Sequence, residues 1–286
     1  MSATRVGGNG IGAYNTGMAD PLPLSGVVIT FTEADRIERC LRSMLAVCRD
    51  VTVVDSQSTD GTPELARRLG ARVVDQSWLG FGRQKNLAIE QATQPWVLLL
   101  DADEWLEPEA QAALRALFAS GAPDKADVFT LPRRTHFLGT VMRFGSFASE
   151  PVHRLFRAHC RHEESPVHER FITDGLRLRV SDVRMEHDTA RSEAEYWAKL
   201  QRYARLWAEE RAARGKRAGR GRGMAAAAAY LLKNLLLRGG VLDGPGAWRF
   251  HALHARYAAL KYQRLREIRA QKKPSPPSSP GKRCVP

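Results

Sequence analysis

The sequence predicts an α/β fold: a doubly wound, mainly parallel sheet followed by a basic helical appendage. Short apolar, β-branched runs alternate with stretches of helical apolar spacing from Gly26 to about Pro132. One of those runs, Trp96–Leu100, is apolar throughout, as a strand covered on both faces must be. After about residue 191 the surplus of Arg and Lys marks the appendage.

In chain order, Val27–Phe31 is the first strand. Ile37, Cys40, Leu41, Met44, Leu45 and Cys48 then recur at helical spacing, so one helix face is buried. Val51–Val54 is the second strand, and Thr62-Pro63 reads as an N-cap with proline at the first helical position. Ala71–Val74 is the third strand and Arg83–Thr93 a helix. Trp96–Leu100 is the fourth strand, Glu107–Ala119 a helix and Val128–Leu131 a fifth strand.

Residues 133–190 are less regular, rich in Arg and His, with strand-like pieces such as Arg177–Val180. A strongly basic helix is expected over 192–214, then a flexible cationic break at Arg214–Gly223. Met224–Leu237 is apolar but interrupted by Lys233 and Asn234, and falls short of the roughly 20 apolar residues a membrane span needs. A last helix is expected from about Trp248 to Ala270. The expected organisation is a disordered segment at 1–25, a main domain at 26–190 with halves 26–132 and 133–190, a basic helical region at 191–270, and a disordered Pro/Ser/Lys-rich tail at 271–286.

The chain has 286 residues, of which 43% are hydrophobic and 8% aromatic, so it can bury a sizeable core. Its formal net charge of +13 calls for an anionic partner: nucleic acid, an anionic membrane surface or a phosphorylated substrate. Cys40, Cys48, Cys160 and Cys284 form neither a CxxC pair nor a regular framework, which fits a reducing compartment and argues against a thiolate zinc site. Met1 to Ser25 lacks the apolar core of a signal peptide, and Met18 is an alternative start.

Ligands of open parallel sheets bind outside the carboxyl ends of the strands. Acidic clusters stand at such ends: Glu33 after the first strand, Asp55 at the end of the second, and Asp101-Ala102-Asp103-Glu104 after the fourth. A single strand-end Asp commonly caps a turn or helix. Three carboxylates gathered after a buried strand repel one another, and a hard divalent cation such as Mg²⁺ or Mn²⁺ offsets that repulsion while bridging to phosphate oxygens. The loop Asp55–Thr62 can read a base or ribose, or cap the following helix. Gly80–Asn86 supplies a Gly-hinged loop with two cations entering a helix, which suits a diphosphate or is a solvated basic turn.

In this order, ITFTEADRIERCLRSM, VTVVDSQSTDGT, GFGRQKNLAI and WVLLLDADEWL resemble the family-2 glycosyltransferases with the A-type, Rossmann-like nucleotide-sugar fold, over about residues 26 to 110. The GFGRQKN variant, RLFR at 154–157, VHE at 167–169 and LLRGGVLDGPG near the C-terminus make the chain most similar to the lipopolysaccharide core biosynthesis glycosyltransferases of the WaaE type, extending the resemblance to about residue 267. It implies that 26–190 is a catalytic domain with a donor half and an acceptor half. The implied donor-binding set is Thr30, Glu33, Asp55, Ser58, Lys85, Asn86, Asp101 and Ala102. Within it Glu33 and Asp55 contact the nucleoside, Asp55 accepting from the uracil N3–H, Asp101 approaches the ribose or uridine, and Lys85 assists at the diphosphate. Asp103 binds the metal, Mg²⁺ or Mn²⁺, and His187 is a further metal or diphosphate ligand. Thr32 stands where many relatives have Asn before the first-loop Glu.

Family membership implies a single in-line displacement with inversion, so one carboxylate must take the acceptor's proton. Glu169 is the expected base, with Glu150 and Asp188 as competitors. His168 is expected to orient the loop or touch the acceptor. Arg133, Arg134, Arg154 and Arg157 lie in the expected acceptor region, as grips for phosphates or Kdo carboxylates or as solvated charges. The expected reaction moves a hexose, glucose from UDP-glucose, onto a heptose or Kdo of the lipopolysaccharide inner core. The alternatives are another lipid-linked or capsule acceptor and, from a different class, a non-catalytic nucleic-acid-binding module, although no nucleic acid partner is expected. Tyr196–Gly223 and Lys261–Arg283, with interleaved Trp197, Tyr203, Trp207, Trp248, Tyr257 and Tyr262, suit the surface of an anionic bilayer. Peripheral attachment to the cytoplasmic face of the bacterial inner membrane is therefore expected.

Overall fold

A computed structural model of the chain describes residues 20–164 and 170–271. They divide into two compact units. The first holds the described residues up to Ala102 together with Leu106–Phe129 and Arg154–Arg179. The second holds Asp103–Trp105, Thr130–His153 and Val180 onward.

The first unit opens with β1 (Leu22–Thr30), α1 (Ile37–Leu45), β2 (Cys48–Asp55), α2 (Thr62–Leu69), β3 (Arg72–Asp75), α3 (Phe81–Glu90) and β4 (Trp96–Asp101). The chain then passes through β5 (Glu104–Trp105), which belongs to the second unit, into α4 (Pro108–Ala119). Strand β1 is parallel to β2 on one side and to β4 on the other, and β3 continues the parallel set beyond β2. Its seven buried residues, Leu24 to Thr30, explain why the run carries no polar alternation. Farther along come β6 (Val128–Phe137), β7 (Thr140–Val141) and β8 (Glu150–Arg157). Leu155–Arg157 of β8 run antiparallel to Trp96–Leu98, so the sheet is mixed rather than parallel throughout. Val27, Ile29, Val54, Ile89, Val97, Leu99 and Phe156 form one core cluster.

Helix α1 buries Ile37, Cys40, Leu41 and Met44, as the spacing predicts. Cys48 instead opens β2, because the chain turns at Ala46 and Val47, whose N–H groups donate back to Arg42 and Met44. Thr62 is not the cap of α2 but its first residue; Gly61, at φ 88°, precedes it. Asp60 does the capping, its Oδ1 accepting from both Thr62 N and Thr62 Oγ1.

β9 (Leu178–Val180), short and exposed, lies where the first unit gives way to the second. In the second unit β10 (Met185–Asp188) runs parallel to β6 and antiparallel to β5, and β7 pairs with the end of β6. The expected fifth strand stopped at Leu131, whereas β6 continues to Phe137. Its polar residues Arg133, Arg134 and His136 hid it from a hydrophobicity pattern, since they are half-buried by ion pairing rather than by packing. Then come α5 (Glu193–Ala213), α6 (Arg222–Leu231), a π-helical stretch Leu232–Leu237 and α7 (Pro245–Gln271). Ser192 caps α5 by accepting from Glu195 N. Phe137 and Met142 pack with Tyr196, Leu200, Phe250 and Leu253, which is why the helices and residues 130–153 fall in one unit. No helix among the described residues is long and apolar enough to cross a membrane.

Candidate active site

In the first unit, three adjacent strands end with polar side chains side by side. Thr30 stands opposite Asp55, and Ile29 opposite Asp101, in the parallel register of β2-β1-β4. The loops that follow are tied to one another. Ser58 gives its N–H to Asp55 Oδ2 at 2.7 Å and its hydroxyl to Oδ1 at 2.6 Å, and its Oγ accepts from Thr32 N at 2.8 Å. Glu33 N donates to Thr62 Oγ1 and Ala34 N to Asp60 Oδ2. Burial pushes the Asp60 carboxyl up, but the bonds from Thr62 and the backbone outweigh it and hold it below its ordinary value. Thr32 sits at φ 58°, which a β-branched residue adopts only when its neighbours fix it. Thr30 Oγ1 is buried with no hydrogen-bond partner among the described residues, beside the buried Asp55. The two loops thus form a fixed polar edge with one unspent donor.

The α3 motif supplies the cation. Gly80 takes φ 93°, and a β-carbon at Gly82 would lie 2.1 Å from the Glu163 carbonyl oxygen, so both glycines are required by geometry. Lys85, almost fully buried, reaches within 3.6 Å of Asp101 Oδ1, while Arg154 donates to Asp101 Oδ2. Arg154 is therefore no solvated acceptor-side charge: it is the cationic partner of a strand-end carboxylate. Asn86, expected at the donor, is bonded to backbone. Its amide donates to His162 O and accepts from His162 N, at 3.0 and 2.8 Å, clamping the segment around residue 162. Gln84, buried and donating to Ser56 Oγ, locks α3 to the second loop; nothing in the apolar pattern singled it out. Ala102 is buried.

In the second unit, Asp103 precedes β5 and His187 lies in β10. Asp188 N donates to Asp103 O at 2.9 Å, and His187 Nε2 comes within 3.4 Å of Asp103 Oδ2. The structure thus brings together two residues, far apart in sequence, that were expected to be metal ligands. His187 Nδ1 is buried and has no hydrogen-bond partner among the described residues. One imidazole and one carboxylate suit Mn²⁺ or Mg²⁺ with the remaining positions filled by phosphate oxygens and water. Among the described residues no group of three metal-capable side chains comes together.

The other acids of this unit are committed to arginines. Glu104, fully buried, accepts from Arg133 Nη1 at 2.8 Å, and Glu150 Oε2 accepts from Arg133 Nε and Nη2. Burial alone would lower the Arg133 pKa, but Glu104 and Glu150 outweigh it and raise it. Glu186 accepts from Arg134 through both oxygens and lies 2.6 Å from His136 Nε2. Burial pushes its carboxyl up, and the bonds from His136 and Arg134 overcome that and hold it below its ordinary value. Arg157, in the first unit, lies over the Trp96 ring and donates to Pro123 O. The arginines expected to grip phosphates or Kdo are thus engaged within the protein. His168 and Glu169, the expected base, lie outside the described residues.

Residues 25–146 match the family described as Glycosyl transferase family 2. An uncharacterized glycosyltransferase of Rickettsia conorii is 41% identical over 102 residues, 36% of each chain. The lipopolysaccharide core biosynthesis glycosyltransferase LpsC of Rhizobium meliloti is 35% identical over 127 residues, 43% of this chain and 46% of LpsC. The matched stretches therefore span less than half the length of these relatives. Among solved structures, Staphylococcus aureus TarS 1–349 aligns with 87% of this chain and 92% of its own at 16% identity and a TM-score of 0.42. Glucosyl-3-phosphoglycerate synthase of Mycobacterium tuberculosis, with Mn²⁺ and UDP-glucose, aligns with 41% and 44% at 22% identity and a TM-score of 0.32. Likenesses this weak carry no weight for function.

Proposed function

Residues 25–146 are a glycosyl transferase family 2 domain, and from that premise we propose that the protein moves a hexose, glucose from UDP-glucose, onto an inner-core sugar of a lipopolysaccharide. The observation that carries the reading is the contact between His187 and Asp103, two residues after the strand-end Asp101. The lipopolysaccharide acceptor is supported by the likeness to LpsC, and the choice of UDP-glucose rests on the sequence resemblance alone.

In this reading the polar edge formed by Thr30, Asp55 and Ser58 receives the nucleoside, with the Thr30 hydroxyl as its unspent donor. Lys85 holds positive charge at the diphosphate. Asp103 and His187 would hold Mg²⁺ or Mn²⁺, which would supply further positive charge at the departing diphosphate. The acceptor hydroxyl gives its proton to Glu169 as its oxygen bonds to the anomeric carbon. The bond from that carbon to the diphosphate oxygen breaks, and nucleoside diphosphate leaves with the electron pair. Glu150 is a poor rival base, because its Oε2 is already taken by Arg133 Nε and Nη2.

The test is a screen of nucleotide sugars for donor turnover with and without Mn²⁺, repeated on Asp103→Ala. UDP-glucose turnover that needs the cation and is lost in the variant is expected. Turnover by Asp103→Ala equal to wild type would remove the assigned role.

A further inference from the structure

The stretch Leu232–Trp248 turns apolar side chains to solvent. Leu236, Leu237 and Leu242 are 65%, 76% and 70% exposed, and Leu232, Val241 and Trp248 are exposed beside them in sequence. This is not a loosely held segment. Asn234, buried, accepts from Ser146 N and Ser146 Oγ through its Oδ1 and donates to Tyr230 O. The Asp243 carboxylate accepts from the N–H groups of Arg143 and Phe144, and Trp248 Nε1 donates to Val241 O at 2.9 Å. The polar side chains fix the backbone from inside, and the leucines are left outside.

The charge around these leucines has one sign. Between Glu210 and Glu267 the sequence holds a single carboxylate, Asp243, and its oxygens are taken by the two backbone donors. Lys233, Arg238 and Arg249 are exposed within or beside the leucine stretch. Exposed apolar side chains with cations interspersed in the same stretch mark an interaction surface. Three occupants can be weighed. A second copy would bring the same cations against these. Residues 1–19 and 272–286 contain no Asp or Glu with which to complement the cations. An anionic phospholipid surface matches both features, taking apolar side chains at the acyl boundary and Lys or Arg at the phosphates.

We propose that Leu232–Trp248 is a membrane-docking surface that seats on a bilayer containing anionic phospholipid. Leu236, Leu237, Leu242 and Trp248 enter the headgroup–acyl boundary, and Lys233 and Arg249 lie at the phosphates. Of the aromatics of the two long helices, this keeps Trp248 on the docking face and leaves Trp197, Trp207, Tyr257 and Tyr262 off it. Trp207 is capped by Arg211 and Lys261 and packs on Tyr262, Arg256 covers Trp197, and Trp197 and Tyr257 pack on the core of the second unit. Those rings join α5 to α7. The proposal stands independently of the donor chemistry.

Flotation of the full chain with vesicles tests it, using phosphatidylethanolamine plus phosphatidylglycerol against phosphatidylcholine alone. Wild type is expected to float with the phosphatidylglycerol vesicles. Leu236→Glu/Leu237→Glu/Leu242→Glu is expected to lose about tenfold or more in partitioning at an unchanged far-ultraviolet spectrum and thermal midpoint. Lys233→Gln/Arg249→Gln, which touches no apolar residue, should lose several-fold, with a weaker salt dependence than wild type. Wild type that stays unbound, or a triple variant that floats as wild type does, would overturn the proposal. So would sedimentation showing a wild-type dimer that the triple variant disperses without any wild-type flotation, because the occupant would then be a second copy.

Discussion

Arg133 holds Glu150 through two nitrogens, Nε at 3.2 Å and Nη2 at 2.5 Å from the same oxygen, while its third nitrogen donates to the fully buried Glu104. One guanidinium therefore compensates two carboxylates. Removing it strands Glu104 in the interior, and Arg133→Ala should cost about 3–5 kcal/mol in the urea unfolding free energy. Arg133→Met/Glu104→Met should recover most of that loss. A single variant as stable as wild type would show that Glu104 does not depend on Arg133.

The same pairing separates the candidate bases. Glu150→Gln should keep the turnover rate within about tenfold of wild type, whereas Glu169→Gln should lose about 10²–10⁴. The comparison is of kcat at saturating donor and acceptor. A larger loss in Glu150→Gln than in Glu169→Gln would reverse the assignment.

Asp103 and His187 should reveal a shared cation without any turnover. With UDP present, Mn²⁺ is expected to raise the thermal midpoint of wild type; saturation at about 100 times the dissociation constant stabilises by about 2.7 kcal/mol. His187→Ala and Asp103→Ala should show a much smaller shift at the same Mn²⁺. An equal shift in His187→Ala would place the cation elsewhere.

Gly82 leaves no room for a side chain, with the Glu163 carbonyl oxygen where a β-carbon would sit. Gly82→Ala should therefore destabilise the fold by about 1–3 kcal/mol, read as a lower urea midpoint at unchanged slope. Gly61→Ala meets nothing within 4 Å and pays only for its positive φ, so it should cost less.

His254 sets a pH dependence. Burial, then the neighbouring His251 and Lys261, push its pKa down from the ordinary 6.5 to about 3, and its Nε2 lies 2.7 Å from the Tyr196 hydroxyl. The unfolded chain takes up a proton below about 6.5, but the folded chain does so only near 3. Stability from neutral His254 is thus fully present above 6.5 and is lost as pH falls through that window, by up to about 1.4 kcal/mol per unit. His254→Gln should flatten the fall between pH 6 and pH 4 relative to wild type by a slope of that order, measured by chemical unfolding at each pH. Parallel curves for the two proteins would mean that His254 titrates normally.

Much of the first unit was legible in the chain. Val27–Ile29, Val51–Val54 and Trp96–Leu100 are apolar because strands covered on both faces need no polar side chain, and the polar residues that end them stand out for the same reason. The spacing of Ile37, Cys40, Leu41 and Met44 encodes a helix face in the same local way. β6 beyond Leu131 was missed because its residues are held by ions rather than by apolar contact, which leaves no period to read.

The sequence by itself determined the apolar strands β1 to β4 and the helices among them, where the acids of those strand ends would lie, and that the chain would be strongly cationic. Only the tertiary structure decided what each charge faces. It put Arg154 on Asp101, Arg133 on Glu104 and Glu150, Asn86 on the His162 backbone, and His187 on Asp103. It also decided that Trp207 of α5 and Tyr262 of α7 would pack on each other while Leu236, Leu237 and Leu242 stay outside. Secondary structure follows from backbone preference and nearest-neighbour burial, which act within a few residues. The partner of a charge or an apolar face is fixed by strand register and helix packing between segments far apart in the chain, and no local pattern records that distance.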